Sequence, residues 1–201
     1  MPNIMWQGVI KSEEEFPASE IPQNAVRVEM EEDIKRMQMK ALPFMIPSVL
    51  ICLVCMLVKT VIAGERVVHF GFLFVGVLAG LLLLVVHEVL HAVAYPKDAT
   101  VYLGIMPKSM ALVALSPSPV KRNHFLFLSI LPVILGVIPL VLFCISSSSL
   151  RELNGLLFGM AVMGMVSVYP DLYNAAHILK KVPSGAMIQN DKNVTYYFEE
   201  V

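Results

Sequence analysis

Four long apolar stretches separated by short polar ones dominate the chain. Residues 44–58 carry no charged side chain, and the apolar run continues to Gly64 with only Lys59 inside it. A membrane-crossing helix needs about 20 mainly apolar residues, so the pattern predicts a first span over residues 44–63. Pro47 falls in its first turn, where a proline is tolerated because the missing N–H has no intrahelical partner anyway. A second run covers residues 70–95. A third, over 125–146, has no charge at all, and Pro132 and Pro139 are expected to kink it. The fourth, 155–179, holds a single acid, Asp171. The fold class this predicts is an all-α membrane protein, a bundle of about four transmembrane helices with short cytoplasmic β-hairpins.

The polar remainder is organised around these runs. Residues 1–43 form a polar segment holding eight of the sixteen carboxylates, and its acidic runs read as a solvated face. Its first residues lack a basic stretch followed by an apolar one, so no cleavable signal peptide is expected. Two β-prone stretches, 100–106 and 110–115, flank Pro107-Lys108-Ser109 and predict a short hairpin. Residues 186–189 and 194–198 flank Asn190-Asp191-Lys192-Asn193 and predict another, within a C-terminal tail from 183 onward. The expected organisation is a polar segment over 1–43, a four-span domain over 44–182 and a tail over 183–201.

Composition supports a membrane class. Apolar residues make up 57% of the chain and charged residues 15%, with a mean hydropathy of +0.71. Soluble domains average about 45–50% apolar and about 25% charged. Disorder, a collagen-like fibre and a disulfide scaffold are excluded. The formal net charge of −1 offers no broad basic surface, so nucleic acid is not an expected partner. The three cysteines all lie in apolar runs. Cys52 and Cys55 make a C-x-x-C in the middle of a span, which reads as helix packing rather than a redox or metal site.

Four spans put the N-terminus, the 96–124 loop and the C-terminus on one side. That side holds Lys11, Arg27, Lys35, Arg36, Lys40, Lys97, Lys108, Lys121, Arg122, Lys180, Lys181 and Lys192, against Lys59, Arg66 and Arg151 on the other. The positive-inside rule then predicts a multi-pass protein of the cell membrane with both termini cytoplasmic.

Ionisable residues inside a span are costly and are functional candidates by default. His87-Glu88-Val89-Leu90-His91 is an H-E-x-x-H pattern. On a helix, residues four apart share a face, so both imidazoles reach one metal ion. Glu88, one step round, is placed to reach a water on that metal and to act as acid and base. A catalytic zinc usually takes three protein ligands, and Asp171 is the candidate for the third. Counted from Lys97, His91 and His87 lie about 9 and about 15 Å into span two, and Asp171 lies about 13–14 Å in from Lys180 on the same side. Asn174 is one turn from Asp171, placed to orient the carboxylate, to bind a developing oxyanion or simply to join helices. His177 lies nearer the interface and reads as interfacial, and His69 and His124 sit at span ends and need no special role. Gly76 with Gly80 and Gly155 with Gly159 have the spacing that lets helices approach closely, consistent with spans two and four meeting.

HEVLHAVAY in span two, Tyr169-Pro170-Asp171-Leu172-Tyr173-Asn174 in span four and the following Lys180-Lys181-Val182-Pro183-Ser184-Gly185-Ala186 resemble a family of small bacterial multi-pass membrane zincins. That family was formerly catalogued as a domain of unknown function and is similar in plan to site-2 proteases. The resemblance covers residues 40–200. It implies His87, His91 and Asp171 as zinc ligands, Glu88 as catalytic acid and base, and a cytoplasm-facing site where a substrate backbone adds to the 100–115 hairpin. Site-2 proteases carry Asp-Gly at the third ligand, whereas Leu172 follows Asp171 here. The expected function is a membrane-embedded zinc metalloprotease acting on a membrane protein or peptide within or beside the bilayer. The alternative is a non-catalytic membrane protein in which a metal or polar cluster joins helices, serving as a sensor or partner-binding subunit.

Overall fold

A computed structural model of the protein describes residues 1–199. In chain order it comprises strand β1 (Asn3–Val9), strand β2 (Val26–Arg27), helix α1 (Ile34–Ala41), helix α2 (Met45–Ala63) and helix α3 (Phe70–Ala94). There follow strands β3 (Thr100–Met106), β4 (Ala111–Leu115) and β5 (Val120–Lys121), then helices α4 (Arg122–Ile130), α5 (Ile134–Ile145), α6 (Arg151–Ser167) and α7 (Tyr169–Lys181). Strands β6 (Met187–Asp191) and β7 (Val194–Phe198) complete the described chain. Four helical stretches are long and apolar enough to cross a membrane: Ile34–Ala63, Phe70–Ala94, Arg122–Ile145 and Arg151–Lys181.

The all-α expectation needs correction, because the protein also contains two sheets. The anticipated hairpins form, but each is enlarged by strands that the sequence pattern did not reveal. β3 and β4 pair antiparallel, and β1 adds in parallel to the other side of β3, giving the order β1-β3-β4. β6 and β7 likewise pair antiparallel within a four-stranded sheet of order β2-β7-β6-β5. Residues before the first span and residues between spans two and three therefore join both sheets.

Prolines set the breaks in the spans. Pro43 lies in a 3-10 turn, Leu42–Phe44, between α1 and α2. Pro132 lies in another, Leu131–Val133, between α4 and α5. Pro170 follows the break at Val168 between α6 and α7. Each proline lacks the N–H that would carry the helix on. Pro139 is accommodated inside α5. Helix α3 contains no proline and runs unbroken.

Contacts divide the chain into two units. One comprises Met1–Ala41, Glu88–Leu131 and the chain from Pro170 onward; the other comprises Leu42–His87 and Pro132–Tyr169. In the first, Ile10, Phe16 and Met106 form a core with Val113 and Leu115 beneath the three-stranded sheet. A second core joins α7 to the four-stranded sheet through Ile178, Val182, Ala186 and Ile188, with Phe125 and Leu126 of α4 against it.

The second unit is helical. Cys52, Val67, Leu140, Phe143, Phe158, Ala161 and Met165 form its core. A Cβ on Gly76 would collide with the Leu156 carbonyl, and one on Gly159 with the backbone of Leu73 and Val77. One on Gly80 would strike Met163, and one on Gly155 the backbone of His69 and Leu73. These glycines let α3 and α6 meet backbone to backbone. Gly136 and Gly164 do the same for α5 and α6. Lys59 of α2 is buried at the end of α5. Its ammonium donates to the carbonyls of Phe143 and Ser146, the latter at 2.8 Å, to Ser146 Oγ at 2.9 Å and to Asn154 Oδ1 at 3.1 Å. These contacts satisfy carbonyls that α5 leaves open at its C-terminus, where a cation also complements the helix dipole.

Candidate metal centre

Helix α3 carries His87, Glu88 and His91 within one turn. One ligand atom from each lies within 4.8 Å of the others. His87 is buried, while Glu88 and His91 are partly so.

His91 is held by a specific backbone atom. Its Nδ1 lies 3.0 Å from the carbonyl oxygen of Leu128 in α4. A carbonyl only accepts, so Nδ1 carries the proton. Within an α-helix, the Leu128 carbonyl would accept from the N–H of residue 132. Residue 132 is proline and has none, so the acceptor is left for the imidazole. The same helix also closes the end of α3. His124 Nε2 donates to the Ala94 carbonyl at 2.8 Å, one of the acceptors that a helix C-terminus leaves open. Residue spacing alone gives neither His124 nor Leu128 a role. His124 was visible only as a residue at a span end, and a backbone carbonyl has no signature in sequence.

With Nδ1 protonated, the neutral ring presents a lone pair at Nε2. That atom faces Asp171 Oδ1 at 3.4 Å. Two electron-pair donors facing each other need a positive charge between them, either a proton on the ring or a metal ion. Ligands about 2.0–2.1 Å from a tetrahedral zinc are separated by about 3.3 Å. The donor set of two imidazoles and a carboxylate is also of the type zinc accepts. The residues present therefore fit a zinc ion.

Asp171 lies in the first turn of α7. Pro170 ends the preceding helix and lets a new one begin, so the Asp171 carboxylate sits at a helix N-terminus, where the dipole favours an anion. Asn174 is half-buried one turn further along α7. His177 turns away from such a role. Its Nδ1 donates to the Tyr173 carbonyl at 2.9 Å and its ring lies 4.1 Å from that of Tyr173. His69 packs edge-on against Phe72. Cys52 packs in the apolar core of α2, α5 and α6.

Comparison with family models matches residues 80–187, just over half of the chain, to the family described as "Putative zincin peptidase". The matched region contains H-E-x-x-H, β3, β4, Asp171 and Asn174. No curated protein matches the chain, and neither does any solved structure.

Proposed function

The chain belongs to this zincin peptidase family, and from that membership and the site geometry we propose that it is a multi-pass zinc metallopeptidase of the cell membrane. It hydrolyses a peptide bond within or beside the bilayer, near the cytoplasmic face, with both termini in the cytoplasm. One observation carries this reading: the clustered donors of His87, Glu88 and His91, with Asp171 Oδ1 3.4 Å from His91 Nε2.

In this reading His87, His91 and Asp171 hold the metal. Zinc, when bound, supplies Lewis acidity that polarises a carbonyl and makes water a stronger acid. Glu88 accepts a proton from the attacking water and returns it to the leaving amine. Asn174 orients the Asp171 carboxylate or steadies the carbonyl oxygen as charge develops there. The substrate is a membrane protein or peptide whose backbone adds as a strand. β3 already has neighbours on both sides, so the edge that receives it is the outer side of β4.

Metal analysis of the detergent-purified protein tests this. Wild type and Glu88→Gln are expected to retain about one zinc per chain, as an open three-ligand site requires, and Asp171→Ala to lose most of it. Glu88→Gln is expected to lower hydrolysis by about 10²–10⁴-fold while keeping its metal. Wild-type protein that binds no zinc even when zinc is supplied would overturn the proposal.

A further inference from the structure

The three-stranded sheet is mostly apolar on both faces. Gly104, Met106, Val113 and Leu115 turn one face toward Ile10 and Phe16, which cover it. The pairing places the alternate residues on the other face: Val101, Leu103 and Ile105 of β3, Leu112 and Ala114 of β4, and Ile4, Trp6 and Val9 of β1. None of these eight is polar. Val101 is buried at the root of the sheet, but Val9 is 58% and Trp6 64% exposed. An apolar sheet face open to water is a docking surface or an aggregation hazard.

We propose that this face docks on the lipid bilayer, with strand β1 as the membrane-contacting edge and Trp6 as its interfacial anchor. The inference rests on the reading of the protein as membrane-spanning. Three observations name lipid as the occupant. The sheet is tethered to a span, since β3 begins six residues after the end of α3, a reach of at most about 20 Å. β1 is tied to the same root by the Asn3 N–H, which donates to the Ala99 carbonyl at 2.9 Å. Val89 and Val93 in the last turns of α3, the helix from which the sheet is tethered, are likewise apolar and exposed. Finally, the exposed residue at the centre of β1 is tryptophan, the side chain most suited to the headgroup boundary, and Lys108 at the hairpin tip and Lys11 just beyond β1 offer cations to lipid phosphates. β1 lies outside the family-matched region, so this edge is a feature of the present chain's N-terminal segment.

Trp6 is the only tryptophan in the sequence, which makes the wild-type protein its own reporter. The full chain is reconstituted into phosphatidylcholine–phosphatidylglycerol vesicles and separated by flotation. Protein that fails to float overturns the membrane reading and this inference with it. In the floated fraction, the indole is expected to emit at shorter wavelength than in water. It is also expected to lose most of its intensity when the lipids carry bromine on the upper acyl chain, and to resist quenching by aqueous iodide. Floated protein whose indole is quenched by iodide and not by bromolipid would overturn the docking while leaving the membrane reading intact. Protection from both quenchers would also overturn it, showing a protein cover on the face. Moving the indole inward on the same face, with Ile105→Trp in a Trp6→Phe background, is expected to reproduce the bromolipid quenching; its failure to do so would confine the contact to β1 and overturn docking of the whole face.

Discussion

The imidazole of His91 donates through Nδ1 to the Leu128 carbonyl, and that carbonyl is free because Pro132 has no N–H to give it. Replacing Pro132 by Ala restores a competing donor four residues along the same helix. The ring then loses its orienting acceptor for part of the time. Partners behind a metal-binding histidine typically set about 10–100-fold in affinity, so Pro132→Ala is expected to weaken zinc binding within that range. Competition with a chromophoric chelator measures it. Pro139→Ala, which fills the same kind of gap within α5, is expected to leave zinc affinity unchanged. Equal losses in the two variants would show that helix repacking, not the Leu128 carbonyl, is responsible. This pair of residues also marks how far a sequence reading of the site reaches. H-E-x-x-H is readable because helical spacing alone puts His87, Glu88 and His91 on one turn. Asp171 is readable because an acid in a span needs a reason and residue counting gives its depth. The Leu128 carbonyl is a backbone atom on another helix, and its availability depends on a packing partner that no local pattern encodes.

At the scale of elements, the contact between α3 and α6 depends on the absence of side-chain atoms. A Cβ on Gly159 meets the backbone of Leu73 and Val77, which cannot rotate away as a flexible side chain would. Overpacking of this kind costs about 1–3 kcal/mol. Gly159→Ala is expected to lower the thermal midpoint in detergent, and Gly159→Leu to lower it further or to prevent folding. Ala at Gly64, where nothing stands within 4 Å but φ is +66°, tests backbone strain without a clash and is expected to cost less. A Gly159→Ala protein as stable as wild type would refute the close packing. The apolar runs made the spans legible because lipid-facing and core-facing residues are both apolar. The small-residue spacing in spans two and four pointed to the helix contact. The short strands were hidden for a related reason. β2 and β5 are two residues each, too short for any alternation to register. β1 reads NIMWQGV, and its parallel pairing with β3 contains a register shift between Trp6 and Gly8. Its partner lies some ninety residues away, so the strand exists through tertiary pairing rather than a local hairpin signal.

For the molecule as a whole, the sheets constrain topology independently of hydropathy and charge. Strands of one sheet must lie on one side of a membrane, because an open edge and irregular backbone do not cross lipid. β1 precedes the first span and pairs with β3, which lies between spans two and three. In the second sheet, β2 precedes span one, β5 lies between spans two and three, and β6 and β7 follow span four. Three separate segments of chain are thus held on one side, as two helical hairpins across the bilayer require. At the opposite ends of those hairpins, Arg151 pairs with Glu65, and the His69 N–H donates to the Arg151 carbonyl at 2.8 Å, joining the two remaining connections. The orientation proposed above, from the excess of basic residues on the sheet side, puts that side in the cytoplasm. Fusion of a fluorescent protein that matures only in the cytoplasm to the C-terminus is expected to fluoresce. A phosphatase active only outside the cytoplasm, inserted at Ser148 in the loop between α5 and α6, is expected to be active. The inverse pair of results would reverse the orientation and keep the topology. Results placing both positions on the same side would contradict a crossing by Arg151–Lys181, the helical stretch that separates Ser148 from the C-terminus.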